Sequence, residues 1–170
     1  MKPAVTGVTN AKSACIVIAL CIQNRCLEGE ALAGSLVEAP NGDFYGTTPL
    51  GGITGHGTVF KVSRTGVHTP LHEFCSHIDC ADGSLPSAEL ALAADGDFYG
   101  ATAAGGAACP PHGSGTFFKI TPSGILTTIY RYGGADGGLT QATDSYLYGT
   151  TASDGANGRG RFLGSLPLAR

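Results

Sequence analysis

The sequence predicts an all-β fold of tandem four-stranded meander repeats, β-propeller-like and incomplete at about two and a half blades. Three observations predict it. The string DFYGTT at Asp43 to Thr48 returns as DFYGAT at Asp97 to Thr102 and as YLYGTT at Tyr146 to Thr151. Self-similarity at a period of about 50 residues marks propellers and solenoids, whose units cannot bury their apolar faces alone. The composition, 27 Gly and 9 Pro with 14% charged residues in 170, describes short strands joined by tight turns. Finally, adjacent large apolar residues (Phe44 with Tyr45, Val59 with Phe60, Phe117 with Phe118) break the in-out alternation of a sheet with one wet face. Both faces need cover, which radially stacked sheets provide.

A shift of 54 residues lays Glu28-Gly29 on Asp82-Gly83 and Asp82-Gly83 on Asp136-Gly137. The frame divides one domain into the tail of a preceding unit (1–27), a first repeat (28–81), a second (82–135) and a partial third (136–170). Within each unit the first strand covers Ser35 to Ala39 or Glu89 to Ala93. The Asn41-Gly42 and Asp95-Gly96 dipeptides that follow are hairpin signals, because both residue types tolerate positive φ. Strand two is DFYGTT or DFYGAT. A Gly-rich loop, PLGGITGHG from Pro49, leads into strand three, GTVFKVS from Gly57 or GTFFKIT from Gly115. A turn at Arg64-Thr65-Gly66 or Pro122-Ser123-Gly124 then opens strand four, from Val67 or Ile125.

Near the N-terminus, Lys2 and Lys12 precede the apolar run Ala14 to Ile22, and Ala31-Leu32-Ala33 follows, a pattern that invites a signal-peptide reading. The run is short, and the polar segment QNRCLEGE separates it from the triplet. The repeat frame also lays Cys15 to Leu20 on Thr69 to Phe74, which makes the run the last strand of an earlier unit. No apolar run approaches the length a bilayer requires, so no membrane span is expected. A net charge of -3 with ten scattered Lys and Arg argues against nucleic acid or an anionic membrane as the main partner.

The recurring pattern DG..P.A.L...DG.FYG.T..GG....GT.FK...G, with a Phe and a Cys-bounded loop before the next DG, resembles the GloVer-type tandem repeat of choice-of-anchor bacterial surface proteins. The likeness covers Cys21 to about Phe162. It implies exported, repeat-built proteins with β-propeller-like domains and carries no established activity to any residue. The third unit departs from the pattern: it is five residues shorter before Leu147-Tyr148, lacks the Cys pair, and reads GRGRFLGSLPLAR where GTVFK is expected. Propellers close with about four blades or more. The expectation is therefore a piece of a longer repeat protein, several chains completing a ring, or an open stack.

Four of six cysteines form two C-x4-C pairs, Cys21/Cys26 and Cys75/Cys80, at equivalent points of two units. Each reads as a loop-pinning disulfide, worth about 2 kcal/mol by chain entropy and pointing to an oxidising compartment. The alternative is a metal site of Cys75, His77 and Cys80, although His77 has no counterpart beside Cys21. Cys15 and Cys109 have no repeat partner. His56 and His112 share the loop before strand three, where a propeller presents its binding rim. The repeated acids Asp43, Asp97, Asp82 and Asp136 suggest glycosidase carboxylates or calcium ligands. Recurrence beside Gly instead favours turn chemistry, and Lys61 and Lys119 likewise read as one structural position. No cofactor is expected.

The function these features suggest is an extracellular or envelope scaffold that presents loops to a glycan or protein. The rival is a propeller enzyme, a glycan hydrolase or lyase, which needs unrepeated acids to converge; Glu73, Asp79 and Asp154 are the candidates, apart from the strand acid Glu89.

Overall fold

The computed structural model describes residues 35–106, 115–131, 138–151 and 161–166. Its elements are β1 (Val37–Glu38), β2 (Phe44–Thr48), β3 (Thr58–Val62), β4 (His68–Glu73), a 3-10 turn (Ile78–Cys80), β5 (Ser84–Pro86), β6 (Ala91–Leu92), β7 (Phe98–Ala104), β8 (Thr116–Ile120), β9 (Leu126–Arg131), β10 (Thr140–Gln141), β11 (Leu147–Thr151) and β12 (Arg161–Leu166). They form three antiparallel sheets: β1-β2-β3-β4, then β5-β7-β8-β9 with β6 also on β7, then β10-β11-β12. The chain is all-β, and no closed barrel or ring is formed by the described residues. The preceding tail at 1–27 lies outside them.

The hairpin at the head of each sheet is built three times over. Gly42 N–H donates to the Ala39 carbonyl at 2.8 Å, Gly96 to Ala93 at 3.0 Å and Ser145 to Ala142 at 3.0 Å. Only the second residue of each dipeptide turns left-handed, with φ of 81° at Gly42, 84° at Gly96 and 68° at Ser145. The loop is therefore a three-residue one, a turn followed by a left-handed residue, and not the two-residue turn that the Asn-Gly and Asp-Gly signals suggest. The first residue has another task. The side-chain oxygens of Asn41, Asp95 and Asp144 accept the N–H two residues on, at 3.0, 3.2 and 3.0 Å.

The FYG signature has a packing cause. Across the sheet Gly46 pairs with Phe60 and Gly100 with Phe118. A Cβ on Gly100 would stand 2.5 Å from Phe118 Cζ and 2.9 Å from Leu90 Cδ2, so glycine makes the bed for the next strand's ring. Beyond it, Thr48 and Thr58 join hydroxyls at 2.9 Å, and Thr102 and Thr116 repeat the pair at 2.9 Å, all four fully buried or nearly so. The Thr48 and Thr102 hydroxyls also accept the buried Thr58 and Thr116 N–H groups at 3.2 and 2.9 Å, an acceptor that an aliphatic residue would not supply. The bulge recurs as well: register shifts between Val59 and Phe60 against β4, and between Phe117 and Phe118 against β9.

The sheets pack face to face in chain order. Tyr45, Val59 and Phe74 of the first side meet Leu90, Phe98, Phe118 and Ile120 of the second in one buried cluster. Tyr45 stacks on Phe98 with centroids 4.0 Å apart, and Phe74 sets its edge to Phe118 at 5.2 Å. The opposite face of the second sheet gives Tyr99, Ala101 and Phe117 to a second cluster with Leu139 and Leu147 of the third. Both faces of the middle sheet are thus covered, as the adjacent apolar residues of each strand require.

Two elements differ from the sequence expectation. In the second sheet β6 falls within the expected first strand, Glu89 to Ala93, but a further strand precedes it, β5, which pairs Ser84 to Ala104 and Pro86 to Thr102. The segment that lost the GTVFK pattern still supplies a strand: β12 pairs with β11, Thr151 opposite Arg161, in the place strand three takes elsewhere.

Candidate functional site

Strand β4 ends at Glu73, and the chain then makes the Cys-bounded loop. Its neck is closed by Cys75 N–H on the Gly83 carbonyl at 3.0 Å and Gly83 N–H on the Cys80 carbonyl at 2.8 Å. Cys75 and Cys80 are disulfide-bonded, with Cys75, Asp79 and Cys80 all left-handed at φ of 59°, 61° and 48°. Inside the loop mouth lies Asp82, only 5% exposed. Its Oδ2 accepts from Ser76 Oγ at 3.1 Å and from His72 Nε2 at 3.0 Å. The recurring acid thus ties the loop to strand β4.

Asp82 and His72 also line a cleft of about 510 Å³, together with His77, Ile78, Ala81, Leu126, Thr128 and Arg131. The cleft therefore runs between the outer strands β4 and β9 of neighbouring sheets, and the Cys loop roofs it. The volume suits a small ligand or one sugar unit of a chain. Asp82 Oδ1 is buried with no hydrogen-bond partner among the described residues, an uncommon state for a native carboxyl. Burial pushes the His72 imidazole below its ordinary value; the Asp82 hydrogen bond and charge and the Glu73 charge oppose the shift, and the His77 charge adds to it. His72 is accordingly neutral at pH 7 and donates Nε2–H to Asp82.

That depression has a sign. A folded-state pKa below the unfolded value of about 6.5 means the unfolded chain binds the extra proton, so the contribution is complete above that pH and is lost below it. Unfolding free energy is expected to fall as pH drops from about 7.5 to about 5.5, and His72→Gln to flatten the drop. Parallel pH curves for the two proteins in urea unfolding refute the assignment.

A second cluster sits on the other side of the loop. One ring nitrogen of His56 and the sulfurs of Cys75 and Cys80 lie within 4.8 Å of one another. His77 does not belong to it and lines the cleft instead. Of the candidates named from sequence, Cys75, Cys80 and His56 thus come together, whereas Cys21, Cys26, His112, Cys15 and Cys109 lie outside the described residues. The recurring lysines serve their sheets: Lys119 Nζ is 2.7 Å from Asp97 and 3.5 Å from Asp95, and Lys61 is 3.9 Å from Asp43. Sequence reading missed His72 and Arg131. Ten residues part His72 from Asp82 and belong to different units, so nothing in the spacing brings them together.

Among the described residues no helix is long and apolar enough to cross a membrane. No curated protein shows significant similarity to the chain. Residues 5–163 match the Gloeobacter/Verrucomicrobia repeat, nearly the whole sequence, in agreement with the threefold signature of FYG, FYG and LYG, its glycine beds and its recurring bulges. The chain belongs to the Gloeobacter/Verrucomicrobia repeat family.

Proposed function

We propose that this repeat module is an extracellular or envelope-associated binding scaffold and that the cleft between strands β4 and β9 takes a neutral glycan. One observation carries the reading: the buried Oδ1 of Asp82, without a partner among the described residues, in a cleft of sugar-sized volume. A ligand hydroxyl supplies the donor it lacks once a small shift of the cleft wall uncovers it. Arg131 and Thr128 add donors at the wall, while Ile78 and Leu126 offer apolar surface to a sugar ring. With His72 neutral, the described lining of the cleft sets one acid against one Arg, which favours an uncharged, hydroxyl-rich ligand over a polyanion. The Cys75–Cys80 bond fits an oxidising compartment outside the cytoplasm.

A second reading has an observation of its own. His72, His77, Asp82 and Arg131 are unlike ionisable groups converging on one cleft, which is what a glycan lyase or hydrolase needs. Hydrolysis takes two carboxyl groups, however, and among the described residues Asp82 is the single acid that lines it. Binding is the better-supported use.

The test is calorimetric titration of the oxidised full chain with neutral soluble polysaccharides, β-glucans and mannans included. Asp82→Ala is expected to weaken binding about tenfold or more, the worth of a hydrogen bond to a carboxylate. Arg131→Ala, at an exposed position, gives a weaker but measurable loss without risk to the fold. Binding that neither substitution alters refutes the site, as does no binding at millimolar glycan. Shortened or unsaturated product chains establish the enzyme reading instead.

A further inference from the structure

We propose that the Cys75–Cys80 pair has a second state, in which the reduced sulfurs and the His56 imidazole hold a thiophilic divalent cation of the Zn2+ class. The inference rests on the second cluster and not on the cleft. Its three donor atoms lie within 4.8 Å of one another. A tetrahedral zinc with ordinary bond lengths sets its sulfurs about 3.8 Å apart and each sulfur about 3.6 Å from the nitrogen. Small side-chain movements reach that geometry. Two thiolates and one imidazole are a known zinc donor set that leaves the fourth position to water or a ligand.

The three donors come from two segments, and backbone hydrogen bonds hold both in place. The His56 carbonyl accepts Leu85 N–H at 2.9 Å, and Gly57 N–H, the next along, donates to Gly51 at 3.1 Å. Thr54 Oγ1 donates to the Phe74 carbonyl at 2.6 Å, which ties the His56 loop to the residue before Cys75. The Cys80 carbonyl accepts Gly83 N–H at 2.8 Å and Gly106 N–H at 2.7 Å. His56 is exposed and both cysteines half-buried, so a cation can enter from solvent.

The cluster also stands outside the repeat. The 54-residue shift that superposes Cys75 and Cys80 on Cys21 and Cys26 puts Lys2 where His56 stands, and the second unit, which carries His112 in the matching loop, has no Cys pair before Asp136-Gly137. A residue that merely serves the repeating unit recurs with it; His56 beside a Cys pair does not.

The chemistry balances with an external thiol as reductant. Two electrons and two protons enter, the Sγ–Sγ bond breaks, the reductant leaves as its own disulfide, and Cys75 and Cys80 become thiols. The cation then forms two bonds to sulfur and one to nitrogen, and two protons pass to solvent. The oxidised pair has no thiolate to offer. Cation binding and the disulfide are mutually exclusive, so the site loads only in the reduced chain.

The test uses Co2+ as a spectroscopic probe with the full chain, reduced by a phosphine and desalted without air. Expected are thiolate-to-cobalt bands in the near ultraviolet and tetrahedral bands in the visible, absent from the oxidised chain and erased by Zn2+. His56→Ala is expected to weaken Co2+ binding at least tenfold, whereas His77→Ala leaves it unchanged. The double variant C75S/C80S removes the bands assigned to this site and so controls for Cys15, Cys21, Cys26 and Cys109. If reduction unfolds the chain, recovery of its tertiary signal on adding Zn2+ but not Mg2+ supports the site. The proposal is overturned by absent bands, by bands that survive C75S/C80S undiminished, by a His56→Ala affinity equal to wild type, or by a reduced chain that Zn2+ fails to restore.

Discussion

Replacing Phe98 by Ala is expected to cost about 3–5 kcal/mol of unfolding free energy, the range for emptying a phenyl site in a core that cannot collapse. Phe98 is fully buried, stacks on Tyr45 at 4.0 Å and sits among Val59, Phe74, Leu90, Phe118 and Ile120. The backbone on both sides is fixed by sheet hydrogen bonds, which limits relaxation into the void. The loss falls on the contact between sheets and not on either sheet alone. Amides of β3 and β8 are therefore expected to lose exchange protection together in Phe98→Ala, alongside a lowered urea midpoint. A loss below about 1 kcal/mol, or a first sheet whose protection is untouched, means the sheets do not stabilise one another as described.

The second large effect concerns Gly115, where strand β8 begins. Its φ is +94°, and a Cβ there runs directly into the Thr102 carbonyl oxygen and lies 3.1 Å from Thr102 C. Those atoms are backbone of the paired strand β7 and cannot swing aside. Gly96 is the comparison: φ is +84°, yet a Cβ meets nothing within 4 Å. Gly96→Ala is thus expected to cost about 1–2 kcal/mol, the price of left-handed backbone for an L residue. Gly115→Ala adds about 1–3 kcal/mol of overpacking on top. Urea unfolding of the two variants separates the terms, and equal losses show that the carbonyl gives way.

Much of this architecture was legible because strands leave a local trace. Two FYG strings and one LYG, the Asn41-Gly42 and Asp95-Gly96 hairpins and the side-by-side aromatics each report on neighbours two to five residues away, within reach of period and turn rules. What escaped was decided across the sheets. Strand β5 is three residues long, carries Pro86 and pairs only with the extension of β7 at Thr102 and Ala104, so its sequence reads as loop. Strand β12 kept the pairing after losing the motif, since backbone hydrogen bonds to β11 do not ask for Lys or the Gly-Thr start. The candidate sites show the same division. The Cys75/Cys80 pair follows from spacing, but its histidine does not: His77 is near in sequence and turns to the cleft, whereas His56 is brought in by the loop it shares with strand β3. His72 and Asp82 meet because one unit's last strand passes the next unit's first residue.

The stacking of Tyr45 on Phe98, followed by Tyr99 sharing its cluster with Leu147, means that the packing cell straddles the repeat boundary. Each sheet has a tyrosine face and a phenylalanine or leucine face, and these are unlike. Sheets stacked through unlike faces add head to tail, with a direction, whereas a two-fold axis brings like faces together. A buried ring accordingly depends on a residue 53 positions away in the next unit, as the Tyr45 to Phe98 contact illustrates. A gene that gains or loses one whole unit makes no new kind of interface, because a tyrosine face again receives the face built to fit it.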